Sequence, residues 1–300
     1  MSTKKIGRQT AALAAPPSIL CAANVVGRME GEGPLAACFD YIDQDDTFGE
    51  ATWEQSERAM QQKALALAQQ LDWLFAGDLL NQCVSSSYAA REQKIPFFGL
   101  YGACSTFGEG LILASMALDG GFGEWAGVVV SSHFCTAERQ YRTPLEYGCQ
   151  RTPTAQWTVT GAGAVILQRM GDGPCITHVT PGKIVDKGVT DTNNMGAAMA
   201  PAACNTLAAH FRDLGRGFAD YDLVVTGDLG RLGRELLIEL LREKKIDVDE
   251  GKLFDCGCEI FSERQDVHSG GSGCGCAASM LCAHLLPELA AGRLKRVLFM

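Results

Sequence analysis

The stretch FGLYGACSTFGEGL, residues 98–111, sets a cysteine, Cys104, in a small-residue elbow between a strand end and the first turn of a helix. Backbone N–H groups point out of a helix start, so a thiol held there is drawn towards thiolate, the form that attacks. Ser105 and Thr106 follow in the same turn and would line the floor of a pocket above it. A second small-residue run, GGSGCGC at 270–276, offers backbone N–H groups at another helix start, with Gly271, Ser272 and Gly273 as the donors. Two such clusters favour an anion over a neutral chain.

The segment SSHFCTAERQYRTPLEYGCQRTPTAQWTVTG at 131–161 is too polar for a core strand and too aromatic for an idle loop. It interleaves Arg139, Arg142 and Arg151 with Tyr141, Tyr147 and Trp157. Guanidinium forks grip carboxylates through paired bonds, and flat rings suit a flat ligand. Arg142 and Arg151 are the candidates for a guest's carboxylates and Tyr147 for its ring, with Thr152 and Gln156 beside them. The same segment also suits an arm packed against a second subunit, and the two roles can coexist.

Of the five histidines only His268, in DVHSGGSG, lies near these runs. It is a candidate acid–base group, a ligand contact or a packed loop residue. His133, His178, His210 and His284 belong to no motif. Cys256 and Cys258, then Cys274 and Cys276, form two C-x-C pairs. Structural zinc spaces its thiols more widely, and these sit among glycine and apolar residues, so buried thiols without a metal are expected.

The chain around these residues has 300 positions, 47% of them apolar, enough for one large domain or two modest ones. A net charge of −9 without a basic face argues against nucleic acid as a partner. The odd count of 13 cysteines, scattered through apolar segments, suggests reduced thiols in a reducing compartment. AALAAPPSILCAA imitates an export signal, but Pro16 and Pro17 cut its apolar run and Leu20 is too bulky for a cleavage site. No run reaches the ~18–20 apolar residues of a membrane span, so any membrane association is expected to be peripheral.

The elements that must position the candidates alternate. SILCAANVV (18–26) reads as a strand, 52–71 as a helix, DWLFAGD as a strand and VSSSYAARE as a helix. IPFFGLY is a strand, the elbow helix stops at Gly120, and AGVVVSS is a strand again. This predicts an α/β protein with a mainly parallel sheet covered on both faces. The second half repeats the order. DLVVTGDL (222–229) matches DWLFAGDL (72–79), and a helix from Cys276 closed by Gly292 matches the one from Cys104 closed by Gly120. RLGRELLIELLREKKID (231–247) is an amphipathic, solvated helix of the fold, apolar at Leu232, Leu236, Leu237, Leu240 and Leu241. The boundaries fall at 1–185, carrying an inserted segment at 132–160, and 186–300. The last strand, in LKRVLFM, stops mid-pattern and its pairing is in doubt.

Two similar α/β halves about a pseudo-twofold, with an elbow cysteine in the first, resemble the thiolases and ketoacyl synthases. GACSTFGEGL and TGAGAVIL are loose marks of that superfamily. With TAERQYRTPLEYGCQRTPTAQWTVTGAGAVIL (136–167), VVTGDLG, FDCGCEIF and GGSGCGCAAS, the chain resembles the stage V sporulation protein AD family. The resemblance implies a thiolase-like fold, two βαβαβ halves in a layered α-β-α-β-α architecture. It also implies binding of dipicolinate, pyridine-2,6-dicarboxylate, for uptake into the forming spore. The setting would be a peripheral one at the inner spore membrane, with other stage V sporulation A-type membrane proteins, as a homodimer and without a cofactor.

Condensing enzymes activate their elbow cysteine with two histidines, or histidine and asparagine, from loops of the second half. The position after the strand equivalent to DLVVT reads Gly227-Asp228 here, and His268 falls one residue short of the thiolase spacing. The resemblance therefore points to a non-catalytic protein with Cys104 as a vestigial nucleophile. The rival is an active acyltransferase using Cys104 and His268, with coenzyme A as the carrier of its substrate.

Overall fold

In the computed structural model, which describes residues 4–67, 71–142 and 151–300, the expected strands of the first half assemble into one sheet. Its six strands run in the order 41–42, 18–26, 161–168, 125–132, 73–77 and 97–100. Alternation along each strand sorts the side chains. Phe75, Val128 and Val130 meet Phe107, Leu111 and Leu118 of the elbow helix on one face. Leu74, Ala76 and Val129 meet Met60 and Ala64 on the other. Each large side chain so buried contributes roughly 1.5–3 kcal/mol. The strand Trp125–Ser132 is buried from its second residue to its last, as expected for a strand covered on both faces.

The sheet is mainly parallel, as expected, with one reversed strand. Gly161–Gln168 runs antiparallel to both its neighbours, pairing Val26 with Gly161 on one side and Ser132 with Gly161 on the other. The helix expected over 52–71 is shorter, Trp53–Ala64, started by Thr52 Oγ1 accepting from Gln55 N and followed by a 3-10 turn at Leu65–Leu67.

The second half builds a smaller parallel sheet with Leu223–Thr226 between Leu253–Asp255 and Val297–Phe299. The last strand is thus paired, Leu223 with Val297 and Val225 with Phe299. Helices Met195–Leu214 and Gly230–Glu243 cover it, and Leu207, Phe211, Leu237 and Leu241 form its core. The amphipathic 231–247 stretch therefore belongs to the fold, with Leu232, Leu236 and Leu240 only partly covered.

The halves meet where helix Cys274–Met280 lies on the first sheet. Here the backbones approach so closely that glycine is required: a Cβ on Gly163 would stand 2.6 Å from the Ala278 carbonyl carbon, and one on Gly275 2.4 Å from the Gly161 oxygen. That helix continues through a π turn at Leu281–Leu285 into Leu286–Ala290, and Gly292 closes it at φ 72. Among the described residues no helix is long and apolar enough to cross a membrane.

Candidate functional site

Leaving the strand Phe97–Leu100, the chain turns through Ala103–Ser105 in a 3-10 turn, with Ala103 in the left-handed region at φ 50. The long helix starts only at Thr106. Thr106 Oγ1 donates to Ala103 O at 2.7 Å and accepts from Gly102 N at 3.0 Å, while Ser105 Oγ donates to Gly102 O at 2.7 Å. Both hydroxyls brace the elbow itself. Thr106 is buried and Ser105 exposed, so the two do not form the shared pocket floor expected of them. Cys104 keeps part of its surface open.

The thiol faces Asp228, which leaves the strand Leu223–Thr226 after one glycine. The Cys104 thiol and the Ser272 side chain lie against the same carboxyl group, and Gly273 N donates to Asp228 Oδ2 at 2.7 Å. Burial pushes the Asp228 carboxyl up to about 6, and the nearby Asp255 adds to this. The contacts from Cys104, Gly273 and Ser272 work the other way. The Cys104 thiol is driven well above its ordinary value, first by burial and then by Asp228, against a smaller pull from Gly273 N and Arg142. This reverses the expectation that the elbow would favour thiolate. A facing carboxylate and the surrounding protein outweigh a helix start two residues away.

The glycine loop shows the same reversal. Of the N–H donors expected from Gly271, Ser272 and Gly273 for a guest, that of Gly273 already serves Asp228. Gly273 itself sits at φ 100. The anion held by the loop is the protein's own carboxylate. Asp255 fixes the turn that presents it: its two oxygens accept from Thr226 Oγ1, Leu229 N, Gly230 N and Cys258 N at 2.6–3.0 Å. Buried Gln156 ties the loops together, donating through Nε2 to Asp228 O at 2.8 Å and to Gly271 O at 2.7 Å. Its Oε1 is buried without a partner among the described residues.

Two of the three arginines gather near this centre. Arg142, at the end of helix Phe134–Tyr141, pairs with Glu138 and donates to Thr158 Oγ1 at 3.2 Å, and its charge reaches Cys104. Arg151 donates to Asp266 O at 2.8 Å and lies 4.9 Å over the ring of Trp157, which stacks on Phe134. Arg151 Nη1 is buried with no acceptor among the described residues. Arg139 instead pairs with Glu54 and sits over Trp53. Tyr147 lies outside the described residues.

His268 is bonded within the loops around it. At φ 57, it donates Nδ1–H to Thr152 O at 2.6 Å, and its Nε2 stands 3.5 Å from Asp266 Oδ1. Both nitrogens tie down the loop, as does Thr152, whose hydroxyl bonds Thr154 Oγ1 at 3.0 Å. Cys256, Cys274 and Cys276 are buried thiols, all pushed up by burial, and Cys274 Sγ donates to Ser131 O.

Sequence reasoning passed over Asp228 and Asp255 as site residues. Their visible signal was position: Asp228 follows the strand Leu223–Thr226, where a histidine or asparagine was sought, and Asp255 closes the neighbouring strand Leu253–Asp255. Two surface hollows, of about 210 Å³ beside Glu54 and Arg139 and about 830 Å³ among Phe211, Arg216 and Lys244, lie apart from Cys104.

A family model described as stage V sporulation protein AD matches residues 7–300. Stage V sporulation protein AD of Bacillus subtilis is 42% identical over 302 residues, which cover 98% of this chain and 89% of that one. Similar solved structures are condensing enzymes. An OleA variant of Xanthomonas campestris with cerulenin superposes with TM-score 0.57 at 15% identity, covering 98% of this chain and 93% of that one. The 3-oxoacyl-[acyl-carrier-protein] synthase III of Aquifex aeolicus gives 0.52 at 13%, covering 93% and 92%. At such identities the likeness is one of fold, and the fold is thiolase-like.

Proposed function

The chain belongs to the stage V sporulation protein AD family, and on that premise we propose that it binds dipicolinate without turning it over. In this reading it supports the uptake of that dicarboxylate into the developing spore. It works peripherally at the inner spore membrane, together with other stage V sporulation A-type membrane proteins.

The observation that carries the reading is Arg151 Nη1, a buried cationic donor without an acceptor among the described residues, close to a second guanidinium at Arg142. A buried charged donor left unpaired is costly, and a guest carboxylate would satisfy it. The residue type at the elbow supports the same view: Cys104 faces a carboxyl group in the place where a condensing enzyme sets a histidine or asparagine. The ring contact assigned to Tyr147 rests on sequence alone. A second copy of the chain is proposed to pack on the sheet edge at Phe97–Leu100, where Phe98 and Tyr101 are about half-exposed.

Calorimetric titration with dipicolinate tests the reading. Saturable binding by the wild type, weakened at least about tenfold by Arg151→Ala, is expected from the loss of one charge-assisted bond. No heat of binding by the wild type would overturn it. The acyltransferase alternative has the fold and the retained Cys104 in its favour. It predicts a stable acyl adduct on Cys104 by intact mass after incubation with acyl-CoA.

A further inference from the structure

Arg142 and Asp228 are separated by one rung of a two-stranded ladder. Trp157–Thr158 pairs in parallel with Gly271–Ser272, so that Thr158 stands opposite Ser272. Arg142 donates to Thr158 Oγ1 at 3.2 Å, and Gly273, the residue after Ser272, donates its N–H to Asp228 Oδ2 at 2.7 Å. Strands in a ladder lie about 5 Å apart, similar to the gap between the two carboxylates of a pyridine-2,6-dicarboxylate. A guest with one carboxylate on the arginines brings its other against Asp228 and the Gly273 N–H that Asp228 already holds.

We propose that binding of a dicarboxylate at this site is coupled to uptake of one proton by Asp228. The inference rests on the dicarboxylate reading above and adds its regulation. Two carboxylates on one buried donor repel strongly, and sharing a proton relieves the repulsion. The protonated Asp228 then donates its O–H to the guest's inner carboxylate, which takes over Gly273 N–H. The proton comes from solvent and is returned when the guest leaves.

Among the described residues, the other groups facing Asp228 are less suited to take that proton. The elbow presents the Cys104 thiol, and the loop and following helices present Cys256, Cys274 and Cys276, all held neutral by burial. Asp255, at the end of its strand, is also raised by burial, but four donors oppose that rise and occupy both its oxygens. Glu138 is paired with Arg142. Burial has already pushed Asp228 up to about 6, and the guest's carboxylate must lift it by roughly three more pH units to hold a full proton at pH 8.

The test is calorimetry of the full chain with dipicolinate at about pH 8, in two buffers of different ionisation enthalpy. About one proton taken up per guest is expected, with affinity falling about tenfold per pH unit over that range. Pyridine-2-carboxylate, which lacks the second carboxylate, is expected to bind without proton uptake. Asp228→Asn should abolish the uptake and bind dipicolinate at least about tenfold more tightly than the wild type at that pH. Should Asp228→Asn fail to fold, the wild-type proton count and the guest comparison still decide. Tight dipicolinate binding with no proton uptake, or equal uptake with both guests, overturns the coupling and leaves the dicarboxylate reading standing. No binding at any pH removes both.

Discussion

Gly273 donates its backbone N–H to Asp228 Oδ2 at 2.7 Å, and the same carboxyl group meets the thiol of Cys104. A donor that could steady a developing oxyanion is thus occupied by the protein's own acid. The cysteine beside it is kept as thiol.

Slow reaction of Cys104 with iodoacetamide at neutral pH follows, since thiolate is the attacking form. Asp228→Asn removes the facing charge and should speed alkylation about tenfold, the effect of a shift of roughly one pH unit. Intact mass with peptide mapping reads it. Rapid labelling of the wild-type residue at neutral pH would show that the carboxyl does not restrain the thiol.

The two arginines should separate binding from folding. Arg142 and its partner Glu138 have side chains only 11% and 9% exposed, so Arg142→Ala strands a nearly buried carboxylate. That costs about 3–5 kcal/mol, or roughly 10 °C in melting temperature for a chain of this size. Arg151→Ala gives up one hydrogen bond and a contact over Trp157, about 1–2 kcal/mol, and should leave a melt close to wild type. Equal thermal losses in both variants would contradict this division.

Much of the scaffold was legible because apolar runs report burial directly. The strand at Ser18–Val26, the helix stopped at Gly120 and the repeated DLVVTGDL unit all stand where their patterns placed them. The one reversed strand was not legible: Gly161–Gln168 is buried through its first seven residues whichever way it runs. The site was read less well, for a physical reason. A small-residue turn promises free N–H groups, yet whether they are free depends on what the other half brings. Here it brings Asp228, a residue that in sequence looks like any acid at the end of a strand.

Stability should fall as pH rises from about 5 to 8. Glu30 is fully buried, with Oε1 accepting from Thr160 N at 2.9 Å and Oε2 unpartnered among the described residues; burial lifts it from 4.5 to about 8. Glu57 is raised likewise, by burial and then by Asp78, and accepts from the hydroxyls of Ser131 and Thr136. The native state therefore keeps protons that the unfolded chain releases above about 4.5. Their contribution is full below that value and is lost as pH climbs through 8. Glu57→Gln, whose amide can exchange bonds with the same hydroxyls, should raise the melting temperature at pH 8 by a few degrees and change little at pH 5. A wild-type melt that is flat or rising between those limits would show that these acids are ionised in the native state.

Two glycine-to-alanine changes in helices should have opposite effects, because the helices stand in different places. In an unconstrained helix the change reduces the unfolded chain's freedom and stabilises by roughly 0.5–1 kcal/mol. At Gly108, in Thr106–Asp119, an added Cβ meets nothing within 4 Å, so Gly108→Ala should be neutral or stabilising. At Gly275 the Cβ would stand 2.4 Å from the Gly161 carbonyl oxygen and 2.5 Å from Ser132 Oγ. Neither can retreat freely. Gly161 is in register with Val26 and Ser132 on its two sides, and Ser132 Oγ donates to Val159 O at 2.6 Å while accepting Gly275 N at 3.2 Å. Gly275→Ala must push the helix off the sheet and break the bond that anchors its start, a loss of about 3 kcal/mol or more. The displaced helix carries Cys274 and Cys276 and follows directly on Gly273, so the Gly273 bond to Asp228 should loosen and Cys104 alkylate faster in whatever folded protein remains. Chemical denaturation of both variants, with alkylation of Cys104 in each, measures the two effects together. Equal stability would mean that the two halves are not in the close contact on which the arrangement of Asp228 against Cys104 depends.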